Sequence, residues 1–371
     1  MNPQEVFCPN IDCYARGQTG KGNIGVHSQA DKRYICHECN QTFTDTKGTI
    51  FYRLRTKAET VMQVITLLAY GCPPKAIQKA FGFHEKTIKE WWRRSGEHCR
   101  LVHEHMIGNR QLELQQVQAD EIKAKGQGFT FWIAMAMMVS TRLWLGGAIS
   151  PKRDLDLIQT LADQLRRIAL CREMLLAVDG LSSYVKAFRR AFRTRFKGDK
   201  GGRHRLISWP NIAIVQVVKQ RQQGQLNIQR RIVQGCSQMV SRLLDKTQGG
   251  GVINTAYIER LNATFRQRLA WLARRTRNLA QKTDTLVAGL FTVGCLYNLC
   301  DNHHSLRLKL FVGRRGYRWV QRTPAMAAGL ADHRWSIEEL FHFKVPLPRW
   351  VPPNRRGRPS FAMMEIINQW C

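Results

Sequence analysis

The pattern of apolar and polar positions changes three times along the chain. Residues 1–50 are polar and rich in glycine, whereas residues 57–107 repeat apolar positions at helical spacing around one sharp turn. From about residue 112 to 300, strand-length apolar runs come first and long helical patterns follow. The tail from about residue 301 is rich in Arg, Pro and Trp. We therefore predict four segments, over residues 1–50, 51–110, 111–300 and 301–371.

The third segment predicts strands that alternate with helices. In order, the predicted elements are strands over 114–123, 129–139 and 143–149, a helix over 154–169, a strand over 174–178, a helix over 184–192, a hairpin over 212–233 and a long helix from about 254. A basic insert occupies residues 193–250. This alternation is typical of an α/β fold in which helices flank a mixed sheet.

The chain of 371 residues is strongly basic. Its 58 Lys and Arg residues outnumber 27 Asp and Glu residues, which leaves a formal net charge of +31 at pH 7. A field of this sign favours a polyanion, and nucleic acid is the first candidate because Lys and Arg contacts with phosphates release condensed counterions. With 44% hydrophobic residues the chain can bury a core, which excludes a disordered protein.

An anionic membrane surface is the alternative partner. The longest apolar stretch, over residues 129–139, has about half of the ~20 residues that a membrane-spanning helix needs. The N-terminus MNPQEVFCPN lacks the basic and then apolar pattern of a signal peptide. We therefore expect no membrane partner and a cytoplasmic protein, in which the 11 cysteines are reduced thiols or metal ligands.

Four cysteines of the first segment form two close pairs, Cys8 with Cys13 and Cys36 with Cys39. Paired thiolates on tight turns are typical of a zinc ribbon, which holds one structural zinc ion tetrahedrally. Four protein ligands leave no open position for catalysis. The alternative is four unrelated buried cysteines, and His27 and His37 are substitute ligands in a variant of the zinc hypothesis.

The second segment has the pattern of a helix-turn-helix. A helix over 57–70 comes first. Pro73 and Pro74 then suit the start of the first helix of the motif, Gly82 is the turn, and residues 85–94 form its second helix. We expect the second helix to enter a DNA major groove. Four cations would lie on its exposed side, namely Lys86, Lys89, Arg93 and Arg94. The alternative is a helical hairpin that merely joins two domains.

Three acids stand in basic surroundings at the ends of predicted elements. Asp120 lies on the first predicted strand, Asp179 ends the fourth, and Glu259 lies in the helix that begins near Asn254. Carboxylates are the hard oxygen ligands that two magnesium or manganese ions require in a phosphoryl-transfer site. The alternative for each acid is an ion pair with a neighbouring Arg.

The sequences around these acids carry a family resemblance. ADE at 119–121, VDGLSSY at 178–184 and NTAYIERLN at 254–262 resemble the DDE transposases of bacterial insertion sequences, of the insertion-sequence-one type. The resemblance implies an RNase H-like fold in which Asp120, Asp179 and Glu259 are the catalytic acids. It also implies that three companions lie near the DNA, namely Arg260, Asn262 and Arg266. Glu121 follows the first Asp in this pattern but is not the usual ligand.

The resemblance also implies an activity and its partners. Such a protein would bind the terminal inverted repeats of its mobile element, cleave double-stranded DNA at the 3′ ends and join them to target DNA. We expect a homo-oligomer on DNA, associated with the bacterial nucleoid. The alternatives are a catalytically inactive, domesticated DNA-binding regulator and an RNase H-like nuclease without strand transfer.

The tail carries one further motif. The residues RRGRP at 355–359 resemble the core of an AT-hook, in which an extended Arg-Gly-Arg runs along a narrow minor groove. Arg356 and Arg358 would make these contacts. An ordinary solvated basic tail is the alternative.

Overall fold

Two compact units make up the chain. A computed structural model describes residues 1–126, 128–197, 203–222, 225–277, 279, 282–313, 316–351, 361, 364 and 365. The first unit comprises Met1–Gly48 with Pro346–Cys371, and the second comprises Thr49–Val345. One continuous apolar core in the second unit includes residues from Ile50 to Phe341. The predicted segment boundaries near residues 110 and 300 fall within this second unit and stay predictions.

The two units together contain thirteen described strands and ten described α-helices. The strands are β1 (Ile24–Ser28), β2 (Arg33–Cys36), β3 (Thr42–Thr44), β4 (Gln116–Lys125), β5 (Thr130–Met138), β6 (Trp144–Ser150), β7 (Met174–Asp179), β8 (Arg193–Phe196), β9 (Arg205–Ser208), β10 (Ile212–Gln222), β11 (Gln225–Gln234), β12 (Leu308–Val312) and β13 (Gly316–Val320). The α-helices are α1 (Ala58–Ala69), α2 (Pro74–Phe81), α3 (Glu85–His103), α4 (Leu155–Ile168), α5 (Ser182–Ala191), α6 (Ser237–Gln248), α7 (Ala256–Arg268), α8 (Thr283–Cys295), α9 (Pro324–Ala327) and α10 (Ile337–His342).

A small antiparallel sheet forms the first unit. Its strands follow the order β1-β2-β3, and each pairs with the next along the chain. The apolar side chains of Val6, Tyr34 and Phe43 pack around the buried cysteines. So small a core is stabilised in other proteins by a metal or by disulfides.

The second unit contains a mixed sheet of six strands in the order β11-β10-β7-β4-β5-β6. The central strands β4, β7 and β10 are parallel, and both edges are antiparallel. The predicted α/β class with a mixed sheet is confirmed, as is the predicted hairpin, which the structure forms from β10 and β11.

Helices cover both faces of this sheet. Alternate residues of β7 point to opposite faces, so that Leu176 and Val178 contact the core beneath α4 and α5. Leu175 and Ala177 pack instead against α6 on the other face. The helix α7 also lies against β4, beside α6. The functional side chains therefore emerge between two layers of helices.

The helices before the sheet pack on it through α8. A left-handed Gly82, with φ 72°, ends α2 and allows the chain to turn into α3. The prediction that this helix ends near residue 94 is wrong, because α3 continues to His103. Its second half is held by burial, since Ser95, Cys99 and Val102 face the interior against α8.

One helical stretch resembles a membrane span by length and composition. Residues Thr283–Leu306 have a mean hydropathy of 1.2 over the best window, but 67% of that window is buried inside the protein. No other described helix passes the same test. The burial is that of a core helix.

Several described elements have no individual counterpart among the predictions. The helix α6 and the short hairpin β8–β9 lie within the basic insert, and a second short hairpin, β12–β13, follows α8. The residues of β9, β12 and β13 are exposed on both faces, so these strands contribute no buried side to the core.

Candidate active site and metal centres

Asp120 and Asp179 occupy equivalent places on neighbouring parallel strands. The register pairs Gln118 of β4 with Ala177 of β7, so the two acids, each two residues further on, lie side by side on the same sheet face. The backbone N–H of Leu181 donates to Asp179 Oδ1 at 2.9 Å, which orients that carboxylate at the end of its strand. The parallel pairing of the strands therefore brings the first two predicted acids together.

The helix that carries Glu259 is fastened to the same strand. Gln118 is fully buried on β4, and its Oε1 accepts from the N–H groups of Tyr257 and Ile258 at 3.1 and 3.0 Å. Its Nε2 donates to the carbonyl of Asn254 at 2.7 Å. This side chain satisfies the first amides of α7, which no intrahelical carbonyl can reach. Glu259 lies in the first turn that Gln118 holds.

A second bond joins α7 to the sheet one turn later. The buried Asn262 donates from Nδ2 to Asp120 Oδ2 at 2.7 Å. Burial, and then the charge of Arg274, lower the pKa of Arg266, a further turn along, and the negative charge of Asp120 offsets part of this. Asn262 thus contacts Asp120 directly, whereas Arg260 is exposed at the start of the helix.

One cavity of about 440 Å³ receives all three predicted acids. Asp120, Asp179 and Glu259 line it together with the backbone turn at Gly180 and the side chains of Arg153 and Lys219. Three acids that are distant in sequence therefore meet at one open site, beside the carboxyl end of β7 and the middle of β4.

Glu121 is the fourth acid at this place. Its side chain is buried on the opposite face of β4 and accepts a hydrogen bond from the hydroxyl of Tyr184 at 2.7 Å. Arg153 forms an ion pair with Glu121 and also donates to Asp179 Oδ2 at 3.1 Å. The arginine therefore links the carboxylates of two strands across the site.

Glu259 has its own cationic partner. Lys219 of β10 forms an ion pair with Glu259 Oε1, and the hydroxyl of Thr255 donates to the same oxygen at 2.7 Å. Partial burial raises the pKa of Glu259, but these two hydrogen bonds outweigh it and lower the pKa. Glu259 is therefore ionised within the cavity.

The carboxylates suit a divalent cation. Asp120, Glu121 and Asp179 offer oxygen atoms that all lie within 4.8 Å of one another, and carboxylate oxygens are the ligands that Mg²⁺ and Mn²⁺ prefer. Burial, and then the negative charges of Glu121, Asp179 and Glu259, raise the pKa of Asp120 to about 7. A cation would relieve this repulsion. The group could therefore hold a divalent ion, with Glu259 across the same cavity.

Sequence reasoning missed the residues that arrange the acids. Gln118 and Lys219 lie within strands, where an amide or a lysine is ordinary, and Arg153 lies in the turn before α4. No local signal marked Gln118, because β4 reads QVQADEIKAK and Gln116 has the same polarity. Partners this distant in sequence are found only by folding the chain.

The four cysteines of the first unit also converge. Their sulfur atoms all lie within 4.8 Å of one another, and the Sγ distances are 3.7 Å for Cys8 and Cys39 and 3.8 Å for Cys13 and Cys36. Four sulfurs bound tetrahedrally at ~2.3 Å from a zinc ion are about 3.8 Å apart, so the cluster could hold zinc. Asn23 adds an N–H donor at 3.2 Å to Cys36 Sγ.

The predicted DNA-binding cations of α3 have partners within the helix. Arg93 forms ion pairs with Glu90 and Glu97, and the hydrogen bond from Arg93 is the main reason why the pKa of Glu90 falls to about 2. Arg94 donates to Glu90 and, at 2.8 Å, to a backbone carbonyl, and it is partly buried. The exposed face of α3 therefore presents Lys86 most freely, while Lys89 pairs with Glu85.

The last predicted DNA contacts cannot be placed. Arg356 and Arg358 of the AT-hook prediction lie outside the described residues. The acids and the cysteines, by contrast, are all within them, and each set converges on one place. No protein-family model and no curated protein matches the chain, so the chemistry of these sites rests on their own residues.

Proposed function

We propose that this protein is a DDE-type transposase, which binds the inverted repeats of its mobile element, cleaves DNA at the 3′ ends and joins those ends to target DNA. The observation that carries the proposal is the single cavity that Asp120, Asp179 and Glu259 line together. Acids drawn from two strands and a helix into one open, basic surrounding suit phosphoryl transfer between DNA strands better than a structural ion pair.

The topology supports an RNase H-like fold for the second unit. Three antiparallel strands, β4, β5 and β6, are followed by α4, the parallel strand β7, α5 and, after the separate hairpin β8–β9, the parallel strand β10. This is the chain order on which the family resemblance depends. The two strands that carry Asp120 and Asp179 are neighbours at the centre of the sheet.

The acids are proposed to hold two magnesium ions. When bound, such ions would activate the attacking hydroxyl and stabilise the leaving oxygen of an in-line displacement. The protein's part is to hold the ligands still. Asn262 fixes one oxygen of Asp120, the amide of Leu181 fixes one of Asp179, and Gln118 fixes the helix of Glu259.

Two cations at the site are proposed to bind phosphate oxygens. Arg153 and Lys219 line the cavity and pair with its carboxylates. Each is more than a third exposed, so a DNA phosphate can reach it. Because the ion pair of Lys219 with the half-exposed Glu259 is weak, exchanging that carboxylate for a phosphate costs little. Arg153 keeps its ion pair with the buried Glu121 and has its bond to Asp179 to exchange.

The remaining parts are proposed to recognise DNA ends. The four-cysteine unit and the helices α1–α3 would contact the element ends, with Lys86 at the start of α3 directed at the groove. The active form would be a homo-oligomer that brings two ends together. The net charge of +31 supports a nucleic-acid partner.

The test is a cleavage and joining assay. Purified protein would be incubated with Mg²⁺ and a labelled duplex that carries the repeats flanking its own gene, and the products would be separated on a denaturing gel. We expect 3′-end nicks and joined products. Asp179→Asn should abolish both while end binding stays within about threefold, and Asp163→Asn, an exposed acid on α4, is the matched control.

Each other outcome has a definite meaning. Nicking without joined products would indicate a nuclease of the same fold. Binding to the repeats without nicking in Mg²⁺ or Mn²⁺ would indicate a DNA-binding regulator. Cleavage that survives Asp179→Asn would show that the cavity is not the active site.

A further inference from the structure

The β12–β13 hairpin exposes large apolar side chains to solvent on both faces. Every described residue of both strands is exposed, including Phe311 at 78%, Tyr317 at 52% and Trp319 at 41%. A two-stranded hairpin without a packed face is marginally stable by itself. A partner that covers it would account for both the exposure and the composition.

One face of the hairpin combines aromatic rings with cations. The register places Phe311 opposite Tyr317 and Lys309 opposite Trp319, so these four side chains share a face. The Tyr317 and Trp319 rings pack edge to face, with their centres 5.8 Å apart. Lys309 Nζ lies 4.0 Å from the Tyr317 ring centre, and Arg307 lies 4.0 Å from that of Trp319. We call these four side chains and Arg307 the aromatic face.

The opposite face carries aliphatic side chains and one cation, Arg318, which lies opposite Leu310. Leu308, Leu310 and Val312 alternate with the aromatic face along β12, and Val320 lies opposite Leu308. This side offers no ring on which a planar group could stack. The two faces of one hairpin therefore differ in chemistry, and each provides a control for the other.

The positive charge of the hairpin is not neutralised. Residues 307–322 contain six Lys or Arg and no Asp or Glu. Within the part of the chain that the structure describes, no carboxylate forms an ion pair with Arg307, Lys309 or Arg318. Contact with a ring leaves the charge of a cation intact. The partner that this charge favours is a polyanion.

The base of the hairpin lies near the proposed active-site helix. His303 donates from its backbone N–H to the carbonyl of Arg322 at 2.9 Å, which closes the base. Burial, followed by the charges of Arg142 and Arg260, lowers the pKa of His303. Arg142 also lies over the Tyr257 ring at 4.0 Å, in the first turn of α7. The positive charges of Arg142 and Arg260 therefore act on the base of the hairpin.

We propose that the aromatic face binds single-stranded nucleic acid, with unpaired bases stacked on Phe311, Tyr317 and Trp319 and phosphates bound by Arg307 and Lys309. Alternating rings and cations on a strand pair are the elements of a stacking platform, which tolerates any base because every base has a π-face. A duplex hides its base faces, so a bare duplex uses only the cations. The site needs no metal and is independent of cleavage.

The test compares single-stranded with double-stranded binding. The variant Phe311→Leu/Tyr317→Leu/Trp319→Leu keeps apolar side chains but removes the stacking surfaces. Its affinities for a fluorescein-labelled, mixed-sequence oligodeoxynucleotide and for the same sequence as a blunt duplex would be measured by anisotropy, in a buffer without added divalent metal or chelator. We expect single-strand affinity to fall about tenfold or more and duplex affinity to change less than about threefold.

The aliphatic face provides the matched control. Leu308→Ala/Leu310→Ala should leave single-strand affinity within about threefold. Equal losses from both variants, or unchanged single-strand affinity in the aromatic variant, would overturn the proposal. So would a change from oligomer to monomer in sedimentation of the aromatic variant, because the face would then be a contact between copies of the chain.

A third variant covers the case in which the aromatic variant loses its fold. Lys309→Gln leaves every ring in place, and circular dichroism monitors folding of each protein. We expect its single-strand affinity to fall and the salt dependence of binding to weaken by about one phosphate contact. Because all binding is measured without added Mg²⁺, failure here leaves the transposase proposal standing, and failure of the cleavage assay leaves this one standing.

Discussion

Gln118 is the side chain whose loss most directly tests how the site is held. We expect Gln118→Met to destabilise the second unit, because methionine keeps the length and volume of the buried side chain but removes its acceptor and donor. The N–H groups of Tyr257 and Ile258 would lose their acceptor, and the Asn254 carbonyl would lose a donor. The packing around β4 would stay filled.

The magnitude follows from these three bonds. A buried donor left without an acceptor costs ~1–3 kcal/mol, and removing a side-chain helix cap costs ~0.5–2 kcal/mol. The amide of Ile258 is buried, whereas that of Tyr257 is only partly so. We therefore expect the free energy of unfolding to fall by about 2–4 kcal/mol, with the loosening concentrated at the start of α7.

Two measurements check this expectation. Urea unfolding followed by circular dichroism gives the change in the free energy of unfolding, and hydrogen exchange read by mass spectrometry gives the protection of residues 254–262. The control is Gln63→Met, the same change at an exposed position of α1, for which we expect less than about 0.5 kcal/mol. The reasoning is refuted if Gln118→Met matches this control and α7 keeps its protection.

Three further predictions concern other parts of the molecule. Metal analysis should find about one zinc per chain, lost in Cys36→Ser and retained in the control Cys171→Ser, whose thiol is exposed; equal zinc in both would contradict the site. Burial lowers the pKa of His103 to about 4, so its contribution to stability is present above pH 6.5 and lost as pH falls towards 4. The free energy of unfolding, measured by urea titration, should therefore fall by about 2 kcal/mol less in His103→Gln than in the native protein between pH 7.5 and 5. Equal falls in the two proteins would exclude this cause. A Cβ at Gly96 would overlap Ala288 of α8, so Gly96→Ala should destabilise the protein by about 1–3 kcal/mol in thermal melting. Helix propensity alone would instead predict a gain in stability.

Local pattern predicted much of the fold. Period-2 and period-3.6 repeats in the apolar positions were enough for the central strands and for α4, since each of these elements buries one side or both. The hairpin β12–β13 was missed because neither of its faces is buried in the chain. The end of α3 was misplaced because a partner helix, and not the helix's own polarity, decides how far it continues.

The candidate sites divide in the same way. Ligand type and spacing alone indicated the cysteine pairs, because a knuckle for zinc is a local structure. Asp120 and Asp179 stood out as acids on predicted strands in basic surroundings, but the place where they meet depends on which strands are neighbours. Pairing between strands is a long-range choice that no single segment encodes.

The sequence by itself determined which side chains are available: thiolates in pairs, acids among cations, and a surplus of positive charge. Only the tertiary structure decided which side chains contact one another. It turned Gln118 into the cap of α7, drew Arg153 between two carboxylates, and left the rings of β13 in solvent. The physical reason is that composition and spacing are properties of short stretches of chain, whereas hydrogen bonds, ion pairs and burial at a site depend on atoms that folding brings together from distant ones.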